Sequence, residues 1–117
     1  LTIAALIGNT EMVKTLIKHG AKVDHKAANG FTPLILAAQN GHTNVIEALL
    51  ENGAKIDLQN DDGVTALMWA GLHDHAGTVK VLLQKGANLN LKSKKGKTAA
   101  EIAKDPAIVE LLKTAKK

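Results

Sequence analysis

The sequence predicts an all-α solenoid of stacked helix-turn-helix units. Three observations lead there. First, the chain is self-similar at a shift of 33 residues: Gly30, Gly63 and Gly96 fall in step, as do Gly20, Gly53 and Gly86, each followed by alanine (Ala21, Ala54, Ala87). Second, each period holds two short apolar-periodic segments, below the roughly 12–15 residues at which an isolated helix becomes stable in water. Third, two such helices cannot bury their apolar faces on each other alone. A fixed period of this size supplies the missing surface, because each unit packs on its neighbours.

The stretch "NGFTPLILAAQNGHTNVIEALLENGA", Asn29 to Ala54, shows the unit most completely. Thr32 is the N-cap and Pro33 the first helical position, with Gly41 as the stop. A second helix opens near Thr43 or Asn44, carries Val45, Ile46, Leu49 and Leu50 on one side, and stops at Gly53. The same signals recur along the chain: Thr32, Thr65 and Thr98; Leu16, Leu49 and Leu82; Ile17, Leu50 and Leu83.

These motifs resemble the ankyrin-repeat family over the whole chain. "TPLILAAQNGH" with "LLENGA" matches the family unit closely, and "TALMWAGLHDH" with "LLQKGA" less closely. "LTIAALIGN" with "LIKHGA" reads as a first repeat lacking its turn and the start of its first helix. "KTAAEIAKDPAIVELLK" reads as a terminal repeat shortened by four residues, since Leu82 maps to Leu111 at a spacing of 29. The resemblance implies an ankyrin-repeat solenoid, its units joined by β-turn/hairpin fingers. It implies a single domain over 1–117, with repeats at about 1–26, 27–59, 60–92 and 93–117. First helices are expected at about 1–7, 32–40, 65–72 and 98–104, and second helices at about 10–19, 44–52, 77–85 and 106–115. Fingers at 20–31, 53–64 and 86–97 connect them. The last repeat carries Glu101, Lys104, Glu110 and Lys113 on its outer side, as a terminal cap requires; no such cap is evident before Leu1. The chain departs from the family at three places. The histidine after threonine-proline-leucine is Ile35, Met68 and Glu101, which removes the family's inter-repeat hydrogen bonds there. Ala27, Asn60 and Ser93 replace the turn aspartate, and Asp74 and Ala107 replace the glycine between helices.

Composition narrows the function. With 45% apolar residues and moderate charge, disorder is not the default. No apolar run approaches the roughly 20 residues of a membrane span. The absence of cysteine excludes disulfides, thiolate metal sites and a cysteine nucleophile. All fifteen basic residues are lysine, and the net charge is 15 − 11 = +4. Residues 1–90 hold seven lysines and eight acids, net −1; residues 91–117 hold eight lysines and three acids, net +5. The chain opens at Leu1 inside a helix, so a processed chain or fragment is expected, with any targeting signal upstream. The expected compartment is the cytoplasm; a cysteine-free bacterial periplasmic protein is the other reading.

Candidate chemistry is sparse. His73, Asp74 and His75 have the donor types for zinc or copper. However, His75 shares its repeat position with His42, where the family carries a turn histidine, and His73 falls at the exposed end of a first helix. No metal and no cofactor are therefore expected. There is no phosphate-binding glycine loop, nucleophile elbow or helical metalloprotease motif. Asp61 and Asp62 sit on a finger tip where both stay solvated, so no enzyme is expected. Trp69 aligns with Ile3, Leu36 and Ile102, read as inward positions, so a core tryptophan is expected. The run Lys92 to Lys97, with Lys113, Lys116 and Lys117 nearby in sequence, could neutralise phosphate. It has no arginine for bidentate contacts and no aromatic on which a base could stack, which argues against nucleic acid. A solvated end or an acidic protein partner fits better. By the resemblance, Asn90 occupies a position open to hydroxylation in related repeats.

The resemblance also places partner contacts at finger tips and at the exposed ends of first helices. On this chain those are Lys26, Ala28, Asn29, Phe31, Gln39, Asn40, Gln59, Asp61, Asp62, Val64, Leu72, His73, Lys92, Lys94, Lys95 and Lys97, with Leu6 and Ile7 beside them. Phe31, Val64, Leu72, Leu6 and Ile7 would form an apolar strip on the concave face, with charge at its edge. The expected function is a monomeric, non-catalytic module that binds another protein through that face, as scaffold or as inhibitor or regulator. The alternatives are an electrostatic docking module for nucleic acid or anionic membrane, and an accessory segment of a larger enzyme.

Overall fold

Three threonines one period apart set the starts of three helices. The side-chain oxygens of Thr32, Thr65 and Thr98 accept the backbone N–H of Ile35, Met68 and Glu101 at 3.2, 3.2 and 3.4 Å. Each thus satisfies an N–H that the helix start leaves without a partner. The structure, a computed structural model, describes residues 1–115; Lys116 and Lys117 lie outside the described residues. The first helices of the units are α1 (Thr2–Ile7), α3 (Pro33–Gln39), α5 (Ala66–Leu72) and α7 (Ala99–Ile102). The second helices are α2 (Thr10–Lys18), α4 (Thr43–Glu51), α6 (Ala76–Gln84) and α8 (Pro106–Thr114). No helix among the described residues is long and apolar enough to cross a membrane.

The helices lie where the period predicts, with one shortening. α7 ends at Ile102 rather than near 104, because Ala103 is already extended (φ −63°, ψ 140°). Pro106 disfavours helical geometry at Asp105, and Asp105 instead caps α8 by accepting the Ala107 N–H at 2.9 Å.

Helices α1, α3, α5 and α7 pack in series, with α2, α4, α6 and α8 in a second row, giving a stack 39 Å long. Leu34, Ile35, Ala37 and Ala38 of α3 are fully buried, as are Leu67, Met68 and Ala70 of α5. The small residues let the first helices approach closely. At Gly71 an added Cβ would lie 3.5 Å from that of Ala103. Val45, Ile46, Ala48, Leu49, Val79 and Leu82 close the core from the second row.

The fingers are short hairpins closed by the bonds from Ala27 N–H to Phe31 O at 2.8 Å, Asn60 to Val64 at 3.0 Å, and Ser93 to Lys97 at 2.9 Å, with Gly30, Gly63 and Gly96 N–H bonding back to Ala27, Asn60 and Ser93 O. They form no strand among the described residues. Neighbouring tips are also tied together. Asp61 N–H donates to Asn29 O, and Lys94 N–H to Asp62 O, both at 2.9 Å.

Ile35 and Met68 are buried apolar residues, and the turn histidines supply bonds between repeats at the helix layer. His42 Nε2 donates to Leu6 O at 2.9 Å, and His75 Nε2 to Gln39 O at 3.0 Å. A carbonyl acceptor places the proton on Nε2. Each ring stands on the turn glycine of the preceding repeat, so that a Cβ at Gly41 would lie 2.8 Å from His75 Nδ1. In the third repeat Asp74 holds the position of Gly41, with φ of 63°.

Candidate protein-binding face

With about 3.6 residues per helical turn, burying 34, 35, 37 and 38 leaves 36, 39 and 40 on the opposite side of α3. These are i, i+3 and i+4 neighbours on one surface. One period earlier the same places hold Ile3, Leu6 and Ile7; one period later, Trp69, Leu72 and His73. Ile102 continues the column in α7. Ile3 is 71% exposed, Ile7 66% and Leu6 43%, while Leu36, Trp69, Leu72 and Ile102 are half-buried.

Trp69, expected in the core, is half-buried and packs against the core from the outer side of α5. Leu67, Met68 and Ala70 take the inner side of α5, and Trp69 falls between them on the outer side. Its indole stacks on His73, four residues on, with centroids 5.3 Å apart and planes 6° from parallel. Phe31, at the base of the first finger, comes within 5.8 Å of the same ring at 42°. His73 in turn lies 6.3 Å from His75. The aromatic groups therefore join finger base, first helix and turn into one surface. The indole Nε1 is buried with no hydrogen-bond partner.

The other candidate residues separate by what they touch. Lys26, Ala28 and Asn29 on the first finger are exposed, as are Asp61 and Asp62 on the second and Lys92, Lys94, Lys95 and Lys97 on the third. Phe31 and Val64 are half-buried and pack against the core, so the apolar strip is partly structural. Gln59 is also engaged in the fold: its Nε2 donates to Gly63 O at 2.8 Å and to Lys92 O at 3.0 Å, tying the second finger to the third. Asn40 is exposed, with its amide donating to Leu36 O at 2.9 Å, and Gln39 is half-buried. Asn90 is exposed. The helix column Ile3, Leu36, Trp69 and Ile102 was missing from the expected face. Counting three residues back from Leu6, Gln39 and Leu72 would have found its first three members.

Charge is ordered along the finger tips: Lys26, then Asp61 and Asp62, then the four lysines. Beside the last finger, the carboxyl of Glu101 is held below the usual glutamate range. The Thr98 backbone N–H, donating at 2.9 Å, is the largest cause; slight desolvation opposes it, and Lys97 and Lys92 add to the lowering. Among the described residues, no group of three or more histidine, aspartate or glutamate side chains is placed to hold a metal ion. The Nε2 of His75 is already committed to Gln39 O.

The sequence matches the family model "Ankyrin repeats (3 copies)" over residues 1–60 and again over 52–117. No curated protein matches the chain.

Proposed function

The chain belongs to the ankyrin-repeat family, and from that premise we propose that it is a non-catalytic module gripping one partner protein on the face formed by its first helices and fingers. Ankyrin repeats generally mediate protein–protein interaction and are typically not catalytic. One observation carries the assignment to this face: the outward register of the first helices is apolar in all four repeats, at Ile3, Leu36, Trp69 and Ile102. Apolar side chains repeated on an outer face, exposed at Ile3 and half-buried at the other three, mark an interaction site. The mechanism is presentation. A stack held by backbone bonds and histidine locks displays its side chains with little ordering cost, and a few anchors supply most of the binding free energy. The partner is thereby scaffolded, or inhibited by having its own site covered.

The test is capture of a partner by the intact chain and by a Leu36→Glu/Leu72→Glu variant whose helical circular dichroism is unchanged. The variant should lose what the intact chain binds. Equal capture by both, with loss only when Lys94, Lys95 and Lys97 are neutralised, would move the function to the electrostatic end of the molecule.

A further inference from the structure

Resting on that protein-binding reading, we infer that the face takes a partner segment of ordered charge: a cation over Asp61 and Asp62, carboxylates over Lys94, Lys95 and Lys97 one repeat further on, and apolar residues along the Ile3–Leu36–Trp69 column. The charges are exposed and lie in one row. The row is also fixed in register, because Asp61 N–H bonds to Asn29 O and Lys94 N–H to Asp62 O, so the tips cannot slide past one another. Gln59 adds a third tie, its amide reaching Lys92 O at 3.0 Å. Asp61 and Lys94 are thus held one repeat apart, with Asp62 beside the lysine finger.

Stacked helices lie about 8–10 Å apart. An extended partner advances about 3.3 Å per residue, so its cation and its carboxylates are separated by up to about three residues. A partner of reversed order meets like charge at both fingers, and such repulsion is how an interface rejects wrong partners. A uniform polyanion fits worse. Its phosphates would cross Asp61 and Asp62, and the chain has no arginine to hold them bidentately.

A random peptide library displayed on phage and panned against the full chain tests this. Selected peptides are synthesised, and their affinities measured by fluorescence anisotropy. The peptides should carry lysine or arginine within about three residues of aspartate or glutamate. Their affinity should fall about tenfold or more in Lys94→Glu/Lys95→Glu, a variant that unfolds at the wild-type temperature. Peptides whose acids are changed to lysine should recover that loss. Peptides that lose affinity in Leu36→Glu/Leu72→Glu but ignore the lysine reversal would overturn the charge order and leave the protein-binding reading standing. No selected peptide, or peptides indifferent to both variants, would overturn both. A short single-stranded DNA that binds as tightly, and equally to the Leu36→Glu/Leu72→Glu variant, would give the lysine finger to nucleic acid and overturn the inference.

Discussion

Asp74→Gly should stabilise the protein, and Gly41→Asp, the reverse change one period earlier, should destabilise it by more. Asp74 joins α5 to α6 with φ of 63°. A Cβ in that region costs an L-residue about 1–2 kcal/mol. Glycine removes the strain but gives up about 0.5–1 kcal/mol in the greater freedom of the unfolded chain. The net gain is about 0.5–1 kcal/mol, or about 2–6 °C in midpoint temperature for a domain of this size. Gly41 has a φ of 71°, so aspartate there incurs the same strain. Its Cβ would also stand 2.8 Å from His75 Nδ1, forcing the ring off its site. The 3.0 Å bond to Gln39 O would go with it, a further 0.5–1.5 kcal/mol or so. A loss of about 2 kcal/mol or more follows. Urea unfolding followed by helical circular dichroism reads both changes as shifts in midpoint at constant slope. A lower midpoint for Asp74→Gly would show that the aspartate side chain contributes more than its backbone costs. A wild-type midpoint for Gly41→Asp would remove the histidine lock from the account of stability.

Other consequences can be measured separately. Leu72→Ala should leave unfolding within about 0.5 kcal/mol of wild type, whereas Phe31→Ala should cost about 1–2 kcal/mol because it removes a half-buried ring in contact with Trp69; equal effects on calorimetry would contradict the packing of Phe31. Trp69 fluorescence should be partly quenched by iodide and more fully in His73→Ala, which bares one face of the indole; an unchanged quenching constant would show that the stack does not exist in solution. Glu101 has a lowered folded-state pKa, so its cap stabilises α7 fully above the ordinary glutamate range and is lost as pH falls through the lowered value. The protection of the Thr98 amide against exchange, relative to its intrinsic rate at each pH, should therefore fall in acid, and Glu101→Gln should abolish that dependence; titration of Glu101 at or above the ordinary value would refute the sign.

The helices were legible in the sequence because their signals are local and repeated. Thr32, Pro33 and Gly41 each act through their own backbone, and the period copies the message to Thr65 and Thr98. The early end of α7 was less plain, since it follows from Asp105 and Pro106 capping the next helix rather than from α7 itself. The face that carries Trp69 was illegible for a different reason. Alignment with Ile3, Leu36 and Ile102 shows that four residues share an environment, but not which side of the helix they face. The angle to the buried Leu67, Met68 and Ala70 decides that. The inter-repeat bonds of His42, His75 and Gln59 were illegible because their acceptors, the carbonyls of Leu6, Gln39 and Lys92, lie about one period away, and a carbonyl leaves no mark in the residue code. Of the candidate contacts, the exposed charges were easier to assign than Phe31 and Val64, which serve the core as well as the surface.

The ties between finger tips have a consequence for how this surface can diverge. The bonds from Asp61 to Asn29 and from Lys94 to Asp62 use only N–H and C=O groups, which almost every amino acid supplies. Residues 61, 62 and 94 can therefore be exchanged with the joint between tips intact, as type can be reset in a fixed frame, whereas position 29, with φ of 62°, favours asparagine, aspartate or glycine. The frame itself is intolerant. A Cβ at Gly30 would lie 2.9 Å from Asp61 N, and one at Gly63 would lie 2.8 Å from Lys94 N. Selection for a new partner can thus act on the displayed residues one at a time, without first finding compensating changes underneath, while these two glycines stay put. A library randomised at 61, 62 and 94 should yield folded proteins at high frequency, and the same library carrying Gly30→Val should not.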